Sequence, residues 1–236
     1  MRRHHMKKKI ELAMAVCMIL AAFVLARQGA VYVLSEKADN KEICIVIDAG
    51  HGGGDPGKVG INDALEKDIN LSVALKLKSL LEQKDIKVVL TRDSDTSLAP
   101  AGANNQKAAD MQQRCQIITE TNPVFTISIH QNSYTTPDIR GAQVFYYGQS
   151  DKGEELAAIL QKNLISRLDP ENRRTAKANE SYYLLKKTPT PTVIVECGFL
   201  SNPEEAELLL DADYQNKLSR AIYMGILEYL EKEDLL

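Results

Sequence analysis

The sequence predicts an α/β protein with a mostly parallel or mixed sheet covered by helices. Two observations predict it. Short apolar runs recur along the chain, and segments with a helical apolar period separate most of them. The first run, ICIVID at 43–48, is apolar on both faces, as a strand is when helices cover it from either side. With 236 residues, 44% hydrophobic and 26% charged, the chain can bury one sizeable core.

The chain opens with basic residues up to Lys9. An uncharged apolar run, LAMAVCMILAAFVLA, follows at 12–26. A basic segment before an apolar one is the pattern of an export signal. As a helix the run would be about 22 Å long, short of a comfortable bilayer span. Residues 1–34 are therefore expected to be a cleaved signal peptide or a retained membrane anchor, and the protein to be exported. Membrane contact is expected through this segment alone. SEKADNKE, 35–42, reads as a polar linker.

A single domain is expected over 43–232. After the strand at 43–48, residues 63–83 read as a helix, with Ile69, Val73, Leu77 and Leu80 in one stripe. KVVLT, 87–91, is the second predicted strand. Residues 93–106, rich in Asp, Ser, Ala, Gly and Asn, read as a loop longer than a simple connection needs. The loop is a candidate gate over a cleft, or a docking point for an activator. A helix is expected over 107–121, strands at 124–130 and 141–147, and a helix at 152–168. YYLLK, 182–186, reads as a short strand and TVIVEC, 192–197, as a buried one. Helices at 203–210 and 214–232 close the chain.

The net charge of −3 is unevenly spread. Arg2, Arg3, Lys7, Lys8, Lys9 and Arg27 oppose Glu11 alone, a balance of +5 that leaves −8 for the remainder. An acidic domain is poorly suited to nucleic acid or other polyanions. The cysteines at 17, 44, 115 and 197 show no C-x-x-C spacing, which argues against a cysteine-built zinc site or a thioredoxin-type redox site.

Chemistry concentrates at strand ends. The domain's two histidines, His51 and His130, each follow an apolar strand, in ICIVIDAGHGGGDPG and VFTISIHQNS. Sites in open α/β sheets gather at the carboxyl ends of strands, so the two can meet in one crevice. Glu66 shares a helix face with Ile69, Asn70 and Val73, which points an acid inward. Asp63-x-x-Glu66 also fits a capping box. Glu196 ends TVIVE, where a carboxylate is costly to bury unless it is paired, metal-bound or protonated. Two imidazoles and a carboxylate suit a catalytic zinc with an open coordination position. A second carboxylate nearby suits proton transfer. These residues predict a zinc hydrolase acting on an acyl or amide bond.

Two other motifs fail on context. Gly52-x-Gly54-x-x-Gly57 matches a dinucleotide fingerprint in form. However, Asp55 would repel pyrophosphate, Pro56 lacks an N–H, and the next helix starts too late. His51 and its three glycines resemble a lipase oxyanion loop, but no G-x-S-x-G follows.

IVIDAGHGGGDPG, LEKDINL, ISIHQNS and VIVECGFLSNPEE, in that order, resemble the zinc-dependent N-acetylmuramoyl-L-alanine amidases of bacterial cell walls. The resemblance runs from about Ile43 to Leu230. It implies a three-layer α/β/α sandwich with a mixed, mostly parallel six-stranded sheet. It also implies one Zn²⁺ ion held by His51, Glu66 and His130, with Glu196 as the catalytic proton carrier. The implied substrate is peptidoglycan, cut between N-acetylmuramic acid and L-alanine of the stem peptide. Asn132 and Ser133 match the family pattern and would line the cleft, or serve turn hydrogen bonds. Asp48 and Asp55 also match, and would orient ligands or brace the loop. DADYQNKLSRAIYMGILEYL and QQRCQIIT resemble the germination-specific members of the family. That likeness implies action in spore cortex on the way to muramic δ-lactam, in the cell envelope or the forespore intermembrane space, with an envelope protein as possible activator. The alternatives are a vegetative autolysin or cell-separation amidase, a catalytically silent wall-binding domain, and a zinc exopeptidase.

Overall fold

The computed structural model describes residues 42–236, together with Met14 and residues 18–28. The chain divides into two units, Met1–Glu42 and Ile43–Leu236. In the first unit residues 18–28 are helical and exposed. The rest of the expected export segment, apart from Met14, lies outside the described residues, as do residues 35–41 of the expected linker. Among the described residues no helix is long and apolar enough to cross a membrane.

The second unit carries six strands: β1 (Cys44–Ala49), β2 (Lys87–Leu90), β3 (Thr126–Asn132), β4 (Gln143–Tyr146), β5 (Lys177–Ala178) and β6 (Thr192–Phe199). Its helices are α1 (Glu66–Glu82), α2 (Gln106–Thr121), α3 (Asp151–Arg167), α4 (Tyr183–Lys187), α5 (Pro203–Leu210) and α6 (Ala212–Lys232). The strands form one sheet in the order β2-β1-β3-β6-β4-β5. All neighbouring pairs are parallel except β4 with β6. This is the mixed, mostly parallel six-stranded sheet that the resemblance implied.

Strand alternation divides the sheet into two faces. Ile45, Ile47, Ala49, Ile127, Ile129, Val193, Val195 and Cys197 join the large core with α1, α3 and α6. Burial makes the Cys197 thiol harder to ionise, so it behaves as a small apolar side chain. The opposite face presents Val46, which packs with Ile118 of α2 and Leu184 of α4. Ile194 packs there with Phe145 and Leu185. On that second face the strand positions near the carboxyl ends are polar: Asp48, Ser128, His130 and Glu196.

Two expectations need correction. Residues 182–186 are not a strand: Tyr183–Lys187 form the short helix α4, and the edge strand is the two-residue β5. Leu184 and Leu185 turn inward at adjacent positions, which a one-turn helix permits. Helix α1 begins at Glu66 rather than at Asp63. Leu65 is its N-cap, and no side chain caps it. The capping-box alternative therefore does not hold, and the Glu66 carboxylate has other partners.

Candidate metal centre and active site

β1 delivers His51 beyond its last residue, and β3 carries His130. Glu66 stands at the first position of α1, so its side chain points back toward both strand ends. The His51 Nε2 atom lies 3.2 Å from Glu66 Oε1, and His130 Nδ1 lies 2.9 Å from the same oxygen. One ligand atom from each of the three residues falls within 4.8 Å of the others. Ligands bound tetrahedrally at about 2.0–2.2 Å would stand roughly 3.3–3.5 Å apart, so the spacing suits one ion.

The loop from β1 is shaped around these donors. His51 itself has a left-handed φ of 62°. A Cβ at Gly50 would come 2.3 Å from His130 Cε1 and 2.4 Å from its Nε2. Main chain thus covers that edge of the imidazole, and Nδ1 faces Glu66. At Gly57, with φ +70°, a Cβ would come 2.5 Å from Glu66 Oε2. Only glycine allows so close a passage at either position.

Hydrogen bonds fix each group. Asp55 Oδ2 is 2.9 Å from His51 Nδ1, which leaves Nε2 toward the centre. The Glu66 carboxylate accepts the Lys58 N–H at 2.7 Å through Oε2 and the Gln131 N–H at 3.0 Å through Oε1. Burial opposes ionisation of Glu66, but both histidines outweigh it and hold the carboxyl well below the usual range. An Asp55→Ala substitution is expected to weaken zinc binding by roughly 10- to 100-fold while leaving the fold intact. Competition against a chromogenic chelator would read that loss.

Glu196 is opposite His130 in the β3–β6 register. It is 7% exposed, and its Oε2 is a buried atom without a hydrogen-bond partner among the described residues. Burial is the largest influence and pushes its carboxyl up to about 6, with His130 opposing and Glu66 adding to the rise. A buried oxygen without a partner, beside two imidazoles and a carboxylate, fits a group that meets water or substrate near a cation. These residues, with Asn132, Ser133, Tyr182 and others, line a cleft of about 330 Å³. Asn132 Oδ1 also accepts the Ser133 N–H at 2.8 Å, a local turn hydrogen bond at the cleft wall.

Asp48 reaches neither histidine by a hydrogen bond. It receives Thr91 Oγ1 at 2.7 Å, Arg114 at 2.6 Å and Ser128 Oγ at 2.6 Å. Arg114 also donates to the carbonyls of Ala49 and His51. Arg92 donates to the carbonyls of Ala49 and Gly50. Two arginines thus brace the strand end that delivers His51. Sequence patterns alone did not reveal either one, although Arg114 lies within QQRCQIIT and Arg92 directly follows KVVLT. The loop at 93–105 braces the same region. Asp95 accepts the Gly53 N–H and pairs with Lys67, and none of the loop's residues lines the cleft.

Burial works against the Asp48 charge, but Arg114, then Ser128, His130 and Thr91 hold its carboxyl at about 2. Its pKa is lowered on folding, so its contribution is complete above the ordinary carboxylate pKa and is lost as pH falls toward 2. The linkage is worth about 2 kcal/mol. Denaturation at pH 5 and pH 2.5 is expected to differ by about two thirds of that amount more in the native sequence than in Asp48→Asn.

Comparison with known proteins identifies the family. Residues 45–228 match the family described as Amidase_3, N-acetylmuramoyl-L-alanine amidase. The chain belongs to the N-acetylmuramoyl-L-alanine amidases. It is therefore an amidase of the bacterial cell wall, which hydrolyses the bond between N-acetylmuramic acid and L-alanine. The amidase is 41% identical over 194 residues to the germination-specific N-acetylmuramoyl-L-alanine amidase of Bacillus subtilis, covering 80% of this chain and 81% of that one. Its fold is similar to that of the CwlD amidase from Clostridioides difficile, solved in complex with the GerS lipoprotein. The TM-score is 0.78 at 39% identity, covering 80% of this chain and 99% of that one. The catalytic domain of the CwlV amidase from Bacillus (Paenibacillus) polymyxa is similar at a TM-score of 0.69 and 32% identity, covering 80% and 98%.

Proposed function

We propose that this amidase is a zinc enzyme of spore cortex, with His51, Glu66 and His130 as the metal ligands and Glu196 as the proton carrier. The observation that carries the reading is the convergence of the three donors beside a carboxylate held in register with His130. Zinc bound there would supply positive charge that polarises the scissile carbonyl and makes water acidic. Glu196 accepts a proton from the attacking water and returns it to the departing L-alanine nitrogen. Asp55 holds the His51 ring, and Glu66, fixed by two main-chain N–H groups, keeps its place between both histidines. Asn132 and Ser133 bind substrate from the cleft wall.

The cortex role is supported by the 41% identity to a germination-specific relative and by the structural likeness to CwlD. That CwlD amidase was solved in complex with a lipoprotein, which supports an envelope protein as partner here too. Residues 1–34 would direct export and would be the segment that meets the membrane. The test is muropeptide analysis of spore cortex from a strain lacking the protein. Muramic δ-lactam is expected to disappear. Cortex with undiminished lactam, together with a defect in vegetative wall turnover, would assign the enzyme to growing cells instead.

A further inference from the structure

The catalytic cleft does not end at the metal centre. A second cavity lies over α2, lined by Asn105, Lys107, Ala108, Met111, Gln112 and Tyr183. Lys107, Met111 and Tyr183 line both cavities, so the two adjoin at these residues. The floor of the second is apolar at Ala108, Met111 and Tyr183. A single cation stands at the junction.

Lys107 has little else to do. Its side chain is 75% exposed, and its ion pair with Asp55 is 3.6 Å long. The same Asp55 oxygen holds His51 Nδ1. The Lys107 ammonium is therefore only two contact lengths from a ligand imidazole. One residue of extended chain spans roughly 3.5 Å, so a peptide leaving the centre toward α2 passes Lys107 within its first few residues. Arg114, the other cation on this side of the cleft, is committed to Asp48 and Asp110. Lys58 lines the cleft but not the second cavity.

We infer that the groove over α2 is the stem-peptide subsite and that Lys107 is its specificity-determining residue, pairing with a free carboxylate on the second residue of the stem. This inference rests on the amidase reading of the centre. Small apolar side chains of the peptide lie on Ala108, Met111 and Tyr183, and the ammonium distinguishes a carboxylate from its neutral carboxamide. An exposed pair of this kind changes affinity modestly and is screened by salt.

The test uses the zinc-loaded enzyme and two muropeptides, one with a free carboxylate at the second stem residue and one with a carboxamide there. Lys107→Ala is expected to raise KM for the carboxylate substrate by about fivefold with kcat unchanged. Kinetics on the carboxamide substrate should stay as they were, and Lys107→Arg should restore the preference. An equal loss on both substrates would overturn the inference, because it would mean that Lys107 acts only through Asp55 and the metal. Binding of both muropeptides to Glu196→Gln, with and without Lys107→Ala, gives a second readout. A preference for the carboxylate that vanishes with Lys107 supports the inference, and equal binding of the two overturns it. If the native enzyme cleaves neither muropeptide, the amidase reading fails, and this binding comparison still decides the role of Lys107.

Discussion

Glu196→Gln is expected to keep its fold and its zinc while losing 10²- to 10⁴-fold in the rate of L-alanine release. That range is roughly what a positioned proton carrier contributes. The substitution preserves shape and removes the charge from a side chain that is only 7% exposed. Stability should change little, because Oε2 has no hydrogen-bond partner among the described residues to lose and the amide oxygen of glutamine can still accept from Tyr182. The measurement pairs release of free N-terminal L-alanine from peptidoglycan with elemental analysis of the same sample. Undiminished release with zinc present would show that Glu196 carries no proton in the reaction.

His51→Ala has the opposite signature, in that metal and activity leave together. The substitution removes a ligand atom 3.2 Å from Glu66 Oε1 and leaves His130 as the one imidazole beside Glu66. The metal's electrostatic contribution is several kcal/mol, and each 1.4 kcal/mol is tenfold, so activity should fall on the order of 10³-fold or more. Zinc content after dialysis should drop below one ion per chain. A chelator should reproduce the loss in the native enzyme, and added zinc should reverse it there but not in the variant. Full activity in metal-free His51→Ala would exclude the proposed centre.

The legibility of the fold followed the strength of its patterns. β1, β3 and β6 read clearly because helices cover both faces and leave unbroken apolar runs. The β1–β3–β6 neighbourhood also brings His51, His130 and Glu196 together, since their strands are adjacent in the sheet. The short elements were not legible. Tyr182 to Lys186 has strand-forming residues but too few positions to reveal a period, and it turned out to be helical. Lys177 and Ala178 carry no pattern at all. Arg92 and Arg114 escaped for another reason. A lone arginine usually reads as solvated, and only tertiary structure shows that their guanidinium groups are spent on Ala49, Gly50 and His51 carbonyls. Glu66 was legible because an acid on an otherwise inward-facing stripe is conspicuous. Its exchange of a capping role for main-chain donors at Lys58 and Gln131 depends on a loop conformation that no local pattern encodes.

The alternation along β6 has a wider consequence. Val193, Val195 and Cys197 hold the greasy layer together, while Ile194 and Glu196, one step away, look out on the other side. Each strand therefore does two jobs without compromise between them. The working surface can be redrafted through α2 and α4 while the adhesive side stays as it is, so changes of substrate taste need not unsettle the scaffold.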